Sequence, residues 1–252
     1  MAFCQLNCHS DALGKAVAAN IILPEVNFNG PFPVFYLLHG CGGDHSIWMR
    51  RTSLERYASA WPLTIVMPDG GRGFYSDAVN GPACESAIVR DLIPFIDGTF
   101  NTIAAREGRC VGGLSMGGYG ALRLALRFPE MFCSANSHSG ALEFGHSPDD
   151  WAHPNDKTEL ERIIGPDSCG GEFDLYALAE KLPEISRPAL QIDCGTEDFL
   201  IEQNRAFHRH LEQLQIAHEY AEYSGTHNWE YWDAHIQDAL RFHARHLGFA
   251  SA

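Results

Sequence analysis

Basic residues are scarce in this chain, which carries 18 lysines and arginines against 32 aspartates and glutamates, for a net charge of −14. Nucleic acids and anionic membrane surfaces are bound through basic patches, so this charge argues against both as partners. Long apolar runs are also missing, because a run such as PVFYLL at 33–38 is only about a third of a membrane span. The sequence therefore predicts no transmembrane helix.

Cysteine pairs with metal-binding spacing are absent as well. The eight cysteines are scattered and none forms a CxxC pair, which argues against a thiolate zinc site. Several lie in apolar stretches such as RCVGG and LQIDCG, where cysteine packs as a small hydrophobic residue. The N-terminal MAFCQLNCHS has neither the basic nor the apolar part of a signal peptide. We expect reduced thiols and a cytoplasmic protein.

Strand-like and helix-like segments alternate along the chain. After an opening hairpin at 3–9 and 14–23, apolar runs predict buried strands and amphipathic runs predict helices. Strands are predicted at 34–40, 63–70, 109–115, 132–140, 189–195 and 218–225, and helices at 51–61, 84–100, 118–130, 204–215 and 228–248. This alternation predicts an α/β fold, with a mostly parallel sheet and helices on both faces, in a single domain of residues 1–252. Residues 141–183 interrupt the alternation and are expected to form a short cap-like excursion.

The stretch CVGGLSMGGYGALRLALRFPE at 110–130 surrounds one serine with five glycines. Gly113, Ser115 and Gly117 match the G-x-S-x-G motif and lie where that motif requires, between an apolar strand and a helix. A side chain two residues before or after the serine would collide with neighbouring backbone. The pattern predicts Ser115 as a nucleophile, and it places the amide of Met116 at a helix N-terminus, where an oxyanion would form.

A serine nucleophile needs a base and an acid further along the chain. Of the 13 histidines, His227 lies in SGTHNWEYW, on the loop after the last predicted strand. The loop after the preceding strand, CGTEDFL, offers Asp198 as the acid, with Glu197 and Asp193 as rivals. Asp198 could instead cap the following helix, a position that suits aspartate. The predicted triad is Ser115, Asp198 and His227.

The second oxyanion amide is expected from the loop after the strand VFYLL, where glycines let the backbone approach a ligand closely. Cys41 is the preferred amide and Gly40 the alternative. Aromatic residues near the loops at the carboxyl ends of parallel strands are expected to wall the site, although sealing the core is the competing interpretation for each. The predicted pocket residues are Gly40, Trp48, Phe74, Tyr75 and Trp229, with Trp151 and Tyr231 as further candidates.

These motifs together resemble the esterase D-like branch of the α/β-hydrolases. The resemblance is carried by YLLHGCGGDHSIWMRRTSLERYA, MPDGGRGFYSD, GGLSMGGYGALRLAL, CGTEDFL and GTHNWEYW, and it spans roughly residues 10 to 248. Within the branch, the chain is most similar to the small intracellular tributyrin esterases, or acetylesterases, of bacteria. The resemblance implies the α/β-hydrolase fold, the same triad, Cys41 and Met116 as the oxyanion amides, and neither a metal nor an organic cofactor.

The expected function is that of a serine carboxylesterase that hydrolyses short-chain acyl esters, from acetyl to butyryl, through an acyl-enzyme on Ser115. One alternative is an S-formylglutathione hydrolase, and another is an acyltransferase that uses the same triad. A non-catalytic binding module on the same scaffold is disfavoured, because all three triad residue types are present. The expected partner is a small-molecule ester, and the sequence leaves open whether the chain forms a homodimer or a higher homo-oligomer.

Overall fold

An eight-stranded sheet forms the centre of the computed structural model, which describes residues 1–25, 29–147, 157–166 and 168–249. The strands are β1 (Ala2–Ser10), β2 (Lys15–Leu23), β3 (Val34–Leu38), β4 (Thr64–Pro68), β5 (Arg109–Leu114), β6 (Ser134–His138), β7 (Ala189–Gly195) and β8 (Glu219–Tyr223). Their order in the sheet is β1-β2-β4-β3-β5-β6-β7-β8. The six strands from β3 to β8 run parallel, whereas the opening hairpin is antiparallel.

Helices cover both faces of the sheet and bury a separate hydrophobic core on each. They are α1 (Ile47–Arg51), α2 (Leu54–Ala58), α3 (Cys84–Ser86), α4 (Ile93–Thr99), α5 (Met116–Arg127), α6 (Lys157–Ile164), α7 (Leu175–Lys181), α8 (Ile201–Gln213) and α9 (Trp229–His246). Side chains of α4 to α8 fill the larger core, and side chains of α1, α2 and α9 fill the other. This is the α/β-hydrolase architecture, so the predicted fold class is confirmed.

The central strand β3 shows how the sequence builds two cores at once. All five of its residues are buried. Val34, Tyr36 and Leu38 face the larger core, while Phe35 and Leu37 face the other. Side chains of a strand alternate between its faces, so a strand that is covered on both sides needs the unbroken apolar run that this sequence has.

The predicted helix 84–100 is continuous but not uniformly α-helical. A π-helical segment, Ala87–Leu92, joins α3 to α4, and the Ile93 amide donates to the Ile88 carbonyl five residues back. Pro94 follows directly. A proline has no N–H, so it cannot donate the α-helical hydrogen bond to the carbonyl four residues back. The widened turn therefore lies where the normal hydrogen-bond ladder is broken.

The predicted excursion at 141–183 contains α6 and α7 between β6 and β7. Both helices contribute side chains to the larger core. Trp151, one of the candidate pocket residues, lies outside the described residues. No helix in the described parts of the chain is long and apolar enough to cross a bilayer.

Candidate active site

Ser115 occupies a strained turn between β5 and α5. Its backbone has φ 53° and ψ −118°, a region that residues with a side chain rarely adopt. Hydrogen bonds from neighbouring segments fix the turn, because the Ser115 amide donates to the His138 carbonyl at 2.9 Å and the Ala141 amide donates to the Ser115 carbonyl at 3.2 Å. Such strain persists only where the surrounding structure enforces it, and it is found mostly at functional sites.

The glycines on either side of Ser115 are required by close backbone contacts. A Cβ atom on Gly113 would lie 2.6 Å from the Leu38 carbonyl oxygen and 2.7 Å from the Gly117 carbonyl. A Cβ atom on Gly117 would lie 2.5 Å from the Leu38 oxygen and 2.7 Å from the His39 oxygen. The glycines therefore let the start of α5 pack directly on the end of β3, as the motif predicts.

Gly117→Ala is expected to destabilise the protein by roughly 1–3 kcal/mol, because the new methyl group meets backbone atoms that cannot rotate away. Gly98→Ala is the matched control, since Gly98 also lies in a helix but a Cβ atom there meets nothing within 4 Å. The control should be neutral, or more stable by up to about 1 kcal/mol. Urea denaturation of both variants measures the difference, and equal stabilities would contradict the packing argument.

Asp198 and His227 are brought together by the loops that follow β7 and β8. The Nδ1 atom of His227 lies 2.9 Å from Asp198 Oδ2 and 3.1 Å from Oδ1. Oδ1 also accepts the Leu200 amide at 2.9 Å, and Asp198 is buried. Burial raises the pKa of the Asp198 carboxyl, but the hydrogen bond and charge of His227, with the Leu200 amide, outweigh burial and hold that pKa below its ordinary value. An ionised carboxylate can only accept, so Nδ1 is the donor and Nε2 is left free to act as a base.

The two rival carboxylates point elsewhere. Glu197 is exposed and accepts the Gly225 amide at 2.6 Å. Asp193 is buried, with Oδ2 2.6 Å from His138 Nδ1 and Oδ1 accepting the Tyr231 hydroxyl at 2.9 Å. Asp198 is thus the carboxylate that contacts His227.

Ser115 and His227 line one cavity of about 930 Å³. Gly40, Cys41 and Met116 line the same cavity, so the two backbone segments expected to supply the oxyanion amides meet at the serine. Met116 is the first residue of α5, and amides in the first turn of a helix have no acceptor within that helix. Within the described residues, no hydrogen bond joins the Ser115 hydroxyl to His227, a contact that often tightens only when substrate binds.

Three of the five predicted pocket residues, Gly40, Phe74 and Trp229, line this cavity. Phe74 stacks on Phe144 with ring centroids 3.9 Å apart and planes 7° apart, which makes it a fixed wall. Trp229 packs edge-on against Trp232 at 5.1 Å. Packed aromatic side chains therefore form part of the cavity surface.

The expectation that Trp48 and Tyr75 line the pocket is wrong, because both are buried in the core, with 1% and 0% exposure. The indole N–H of Trp48 donates to the Leu38 carbonyl at 3.1 Å. The Trp48 ring packs edge-on against Trp229, with ring centroids 5.4 Å apart. Tyr75 hydrogen-bonds the backbone of His39. Tyr231 is also outside the cavity, since its hydroxyl binds a buried carboxylate. In these positions the competing interpretation, that aromatics seal the core, was the right one.

Phe199 is a cavity residue that the sequence reasoning missed. It follows Asp198 directly, is 75% exposed, and its ring lies 4.6 Å from the His227 ring. Trp232 is a second cavity residue that was missed, and its ring packs edge-on against His227 with ring centroids 4.9 Å apart. An apolar residue next to the acid in CGTEDFL was the available signal, and Phe199 and Trp232 now frame the imidazole.

One group of potential metal ligands occurs among the described residues, at His146, Cys169 and Asp174, with ligand atoms within 4.8 Å of one another. The Asp174 carboxylate already accepts the amides of Tyr176 and Gly170 and lies 3.0 Å from His146 Nδ1. None of the three potential ligands lines the cavity at Ser115. The cluster is separate from the candidate active site, and a reaction without metal stays a prediction.

Comparison with known proteins identifies the family. Residues 10–243 match the model of the family described as "Putative esterase". The chain belongs to this esterase family. Its match covers the strained serine turn, the His227–Asp198 pair and the loop at Cys41, so the whole candidate site lies inside the shared region.

Individual proteins that are similar to this esterase in sequence or in structure agree with that assignment. An acetyl esterase of Caldicellulosiruptor saccharolyticus is 29% identical, covering 96% of this chain and 98% of the relative. The substrate-bound serine hydrolase FphF of Staphylococcus aureus has a TM-score of 0.87 at 31% identity, covering 96% of this chain and 98% of that one. The apoenzyme of an S-formylglutathione hydrolase from the same organism has a TM-score of 0.83 at 30% identity, with the same coverage. The protein is a serine hydrolase acting on carboxylic esters, and its resemblance to the esterase D-like branch is confirmed.

Proposed function

We propose that this esterase hydrolyses short-chain acyl esters with Ser115 as nucleophile, His227 as base and Asp198 as the residue that orients the base. One observation carries the proposal: the strained serine turn and the His227 imidazole, held by a buried carboxylate, line the same cavity. A serine hydroxyl is a weak nucleophile until a base removes its proton, and Nε2 is the imidazole atom available for that proton.

The proposed reaction has two halves. Ser115 Oγ attacks the ester carbonyl while its proton passes to His227 Nε2, and the amides of Cys41 and Met116 stabilise the oxyanion. The imidazolium then protonates the leaving alcohol, which departs as the acyl-enzyme forms. Water, deprotonated by the same imidazole, attacks the acyl-enzyme and releases the acid. As the acid leaves, the imidazolium returns the proton taken from water to Ser115 Oγ, so the enzyme is regenerated and ester and water are the only reactants.

Short acyl chains are proposed because the aromatic wall beside Ser115 is rigid. Phe74, 4% exposed and stacked on the fully buried Phe144, cannot move aside without disturbing the core. The name of the acetyl esterase relative supports the same choice. The remaining volume of the cavity is then left for the alcohol part of the ester.

Among acetyl, butyryl, hexanoyl and octanoyl esters of one phenol, we expect kcat/KM to be highest for acetyl or butyryl and to fall steeply by octanoyl. Forcing extra methylenes against a packed wall costs roughly 1–3 kcal/mol, whereas an open groove would gain about 0.8 kcal/mol for each one buried. Steady-state kinetics across the series measures the difference. A continued rise to octanoyl would rule out the short-chain proposal while leaving the triad intact.

A thioester substrate is the second candidate, because an S-formylglutathione hydrolase is among the structural relatives at 30% identity. The same nucleophile and oxyanion amides serve for a thioester, so the triad does not discriminate. Parallel assays with S-formylglutathione and phenyl acetate separate the two functions. A kcat/KM that is far higher for the thioester would replace the carboxylester as the proposed substrate.

We also propose that the protein works in the cytoplasm as a single domain of residues 1–252, with a small-molecule ester as its partner. All eight cysteines are free thiols, which fits a reducing compartment. The excess of acidic residues supports the expectation that nucleic acid is not a partner.

A further inference from the structure

The side chain of His39 joins two loops at the carboxyl ends of β3 and β4. It is 1% exposed and lies at hydrogen-bond distance from one backbone group on each loop. Its Nδ1 atom is 2.8 Å from the Gly40 carbonyl oxygen, and its Nε2 atom is 2.9 Å from the Gly70 amide nitrogen. A buried imidazole with both nitrogens bound to backbone has one orientation.

These two contacts also fix the tautomer. The Gly70 amide can only donate, so Nε2 must be the acceptor and carry no proton. The proton of the neutral ring is then on Nδ1, which donates to the Gly40 carbonyl. The nearest Asp69 carboxylate oxygen is 3.7 Å from Nε2, beyond hydrogen-bond range.

The Gly40 carbonyl and the Cys41 amide belong to one peptide unit. That unit is planar and trans, so its C=O and N–H bonds point in opposite directions. Fixing the carbonyl oxygen therefore fixes the direction of the Cys41 N–H. The Gly43 amide also donates to this oxygen at 3.0 Å, but among the contacts of the described residues it is the His39 side chain that links this oxygen to the neighbouring loop at Gly70.

We propose that His39 is a positioning residue of the esterase reaction, which aims the Cys41 amide at the oxyanion through the Gly40 carbonyl. The inference rests on the proposed function of Ser115 and Cys41. His39 is absent from the described lining of the cavity, so it acts through the peptide and not by touching substrate.

Tyr75 supports this arrangement from the core. Its hydroxyl accepts the His39 amide at 2.8 Å and donates to the His39 carbonyl at 2.9 Å. Its ring also packs where a Cβ atom on Gly120 of α5 would be, at 2.5 Å. Tyr75 therefore connects the His39 loop to the helix whose first amide is Met116, and the two proposed oxyanion amides are held by one framework.

Two substitutions separate the contacts of His39. The Asn side-chain nitrogen is as many bonds from Cα as Nδ1, so His39→Asn keeps a donor for the Gly40 carbonyl and loses the acceptor for Gly70. The Gln side-chain oxygen is as many bonds from Cα as Nε2, so His39→Gln keeps the acceptor and loses the donor. Each variant loses one buried hydrogen bond, so their melting temperatures should fall by similar amounts.

Activity should distinguish the two. Because the oxyanion forms only in the transition state, a misdirected amide lowers kcat and leaves KM nearly unchanged. We expect kcat of His39→Gln to be about 10- to 100-fold below that of His39→Asn, because a misplaced group can cost about 100-fold and the amide is misdirected here and not removed. Equal kcat values, or a more active Gln variant, would overturn the inference. Wild-type protein that neither reacts with a fluorophosphonate nor hydrolyses esters would instead overturn the proposed function.

Tyr75→Phe tests the same inference if neither His39 variant folds. It removes one hydroxyl and leaves the ring in place, so His39 loses its backbone support while the fold is retained. We expect kcat to fall by about 3- to 10-fold with KM within about twofold of the wild type, since the amide is loosened and not removed. A folded Tyr75→Phe enzyme with wild-type kcat would then overturn the inference.

Discussion

Ser115→Ala is expected to lower kcat for ester hydrolysis by about 10⁶-fold, which leaves only the weak catalysis that binding and an oxyanion hole provide. The reason is local geometry, because Ser115 lies on the strained turn at the cavity and is followed directly by the first amide of α5. His227→Ala should be almost as severe. Nucleophile and base act as a unit, so the double variant should be little worse than either single one.

Covalent labelling tests whether Ser115 is the nucleophile without the use of an ester substrate. A fluorophosphonate should add once to the wild type and not to Ser115→Ala, as read by intact mass. Ser137→Ala is the matched control, since Ser137 pairs with Gly113 on the adjacent strand and its buried hydroxyl has no hydrogen-bond partner among the described residues. The control should keep both labelling and turnover. An adduct on Ser115→Ala would show that another residue is the nucleophile.

The sheet was predictable because its strands carry their own signal. The range 189–195 is the observed β7, and an apolar run bounded by glycine or proline locates β3 and β4 within a few residues. The hydrogen-bonding pattern inside a helix was harder to predict than the position of a strand. A shift from α- to π-helical bonding at 87–92 hardly changes which residues are buried, so periodicity does not detect it. The predicted helix 51–61 contains α2 but shares only Arg51 with α1, which already begins at Ile47.

Candidate site residues were predictable where chemistry is tied to a strand end. Ser115 follows β5 directly, whereas Asp198 and His227 lie on the loops just after β7 and β8, and the carboxyl ends of parallel strands converge on one edge of the sheet. The aromatic residues of the pocket could not be predicted in this way, because the side chain of a loop residue can point toward the cavity or toward the core without any change in sequence pattern. Trp48 and Tyr75 turned toward the core through hydrogen bonds to backbone that only the folded chain supplies.

Asp198→Asn is expected to lower kcat/KM by roughly 10³- to 10⁴-fold, less than the loss of Ser115 or His227. The Asn oxygen can still accept the Leu200 amide, as Oδ1 of Asp198 does. The Asn amide group would then donate to His227 Nδ1 and move the imidazole proton to Nε2. An imidazole in that tautomer cannot take the Ser115 proton, although the fold is unchanged.

The pH profile and a neighbouring variant make this test specific. Because the pKa of Asp198 lies below its ordinary value, its carboxylate is ionised throughout about pH 5 to 8, and the loss in Asp198→Asn should be similar across that range. Glu197→Gln removes the adjacent charge, but Glu197 contacts the Gly225 amide and not His227, so this control should stay within about threefold of wild type. Equal losses in the two variants would mean that general charge, and not orientation of His227, sets the rate. A loss confined to Asp198→Asn would assign the orienting role to the one carboxylate that contacts the imidazole.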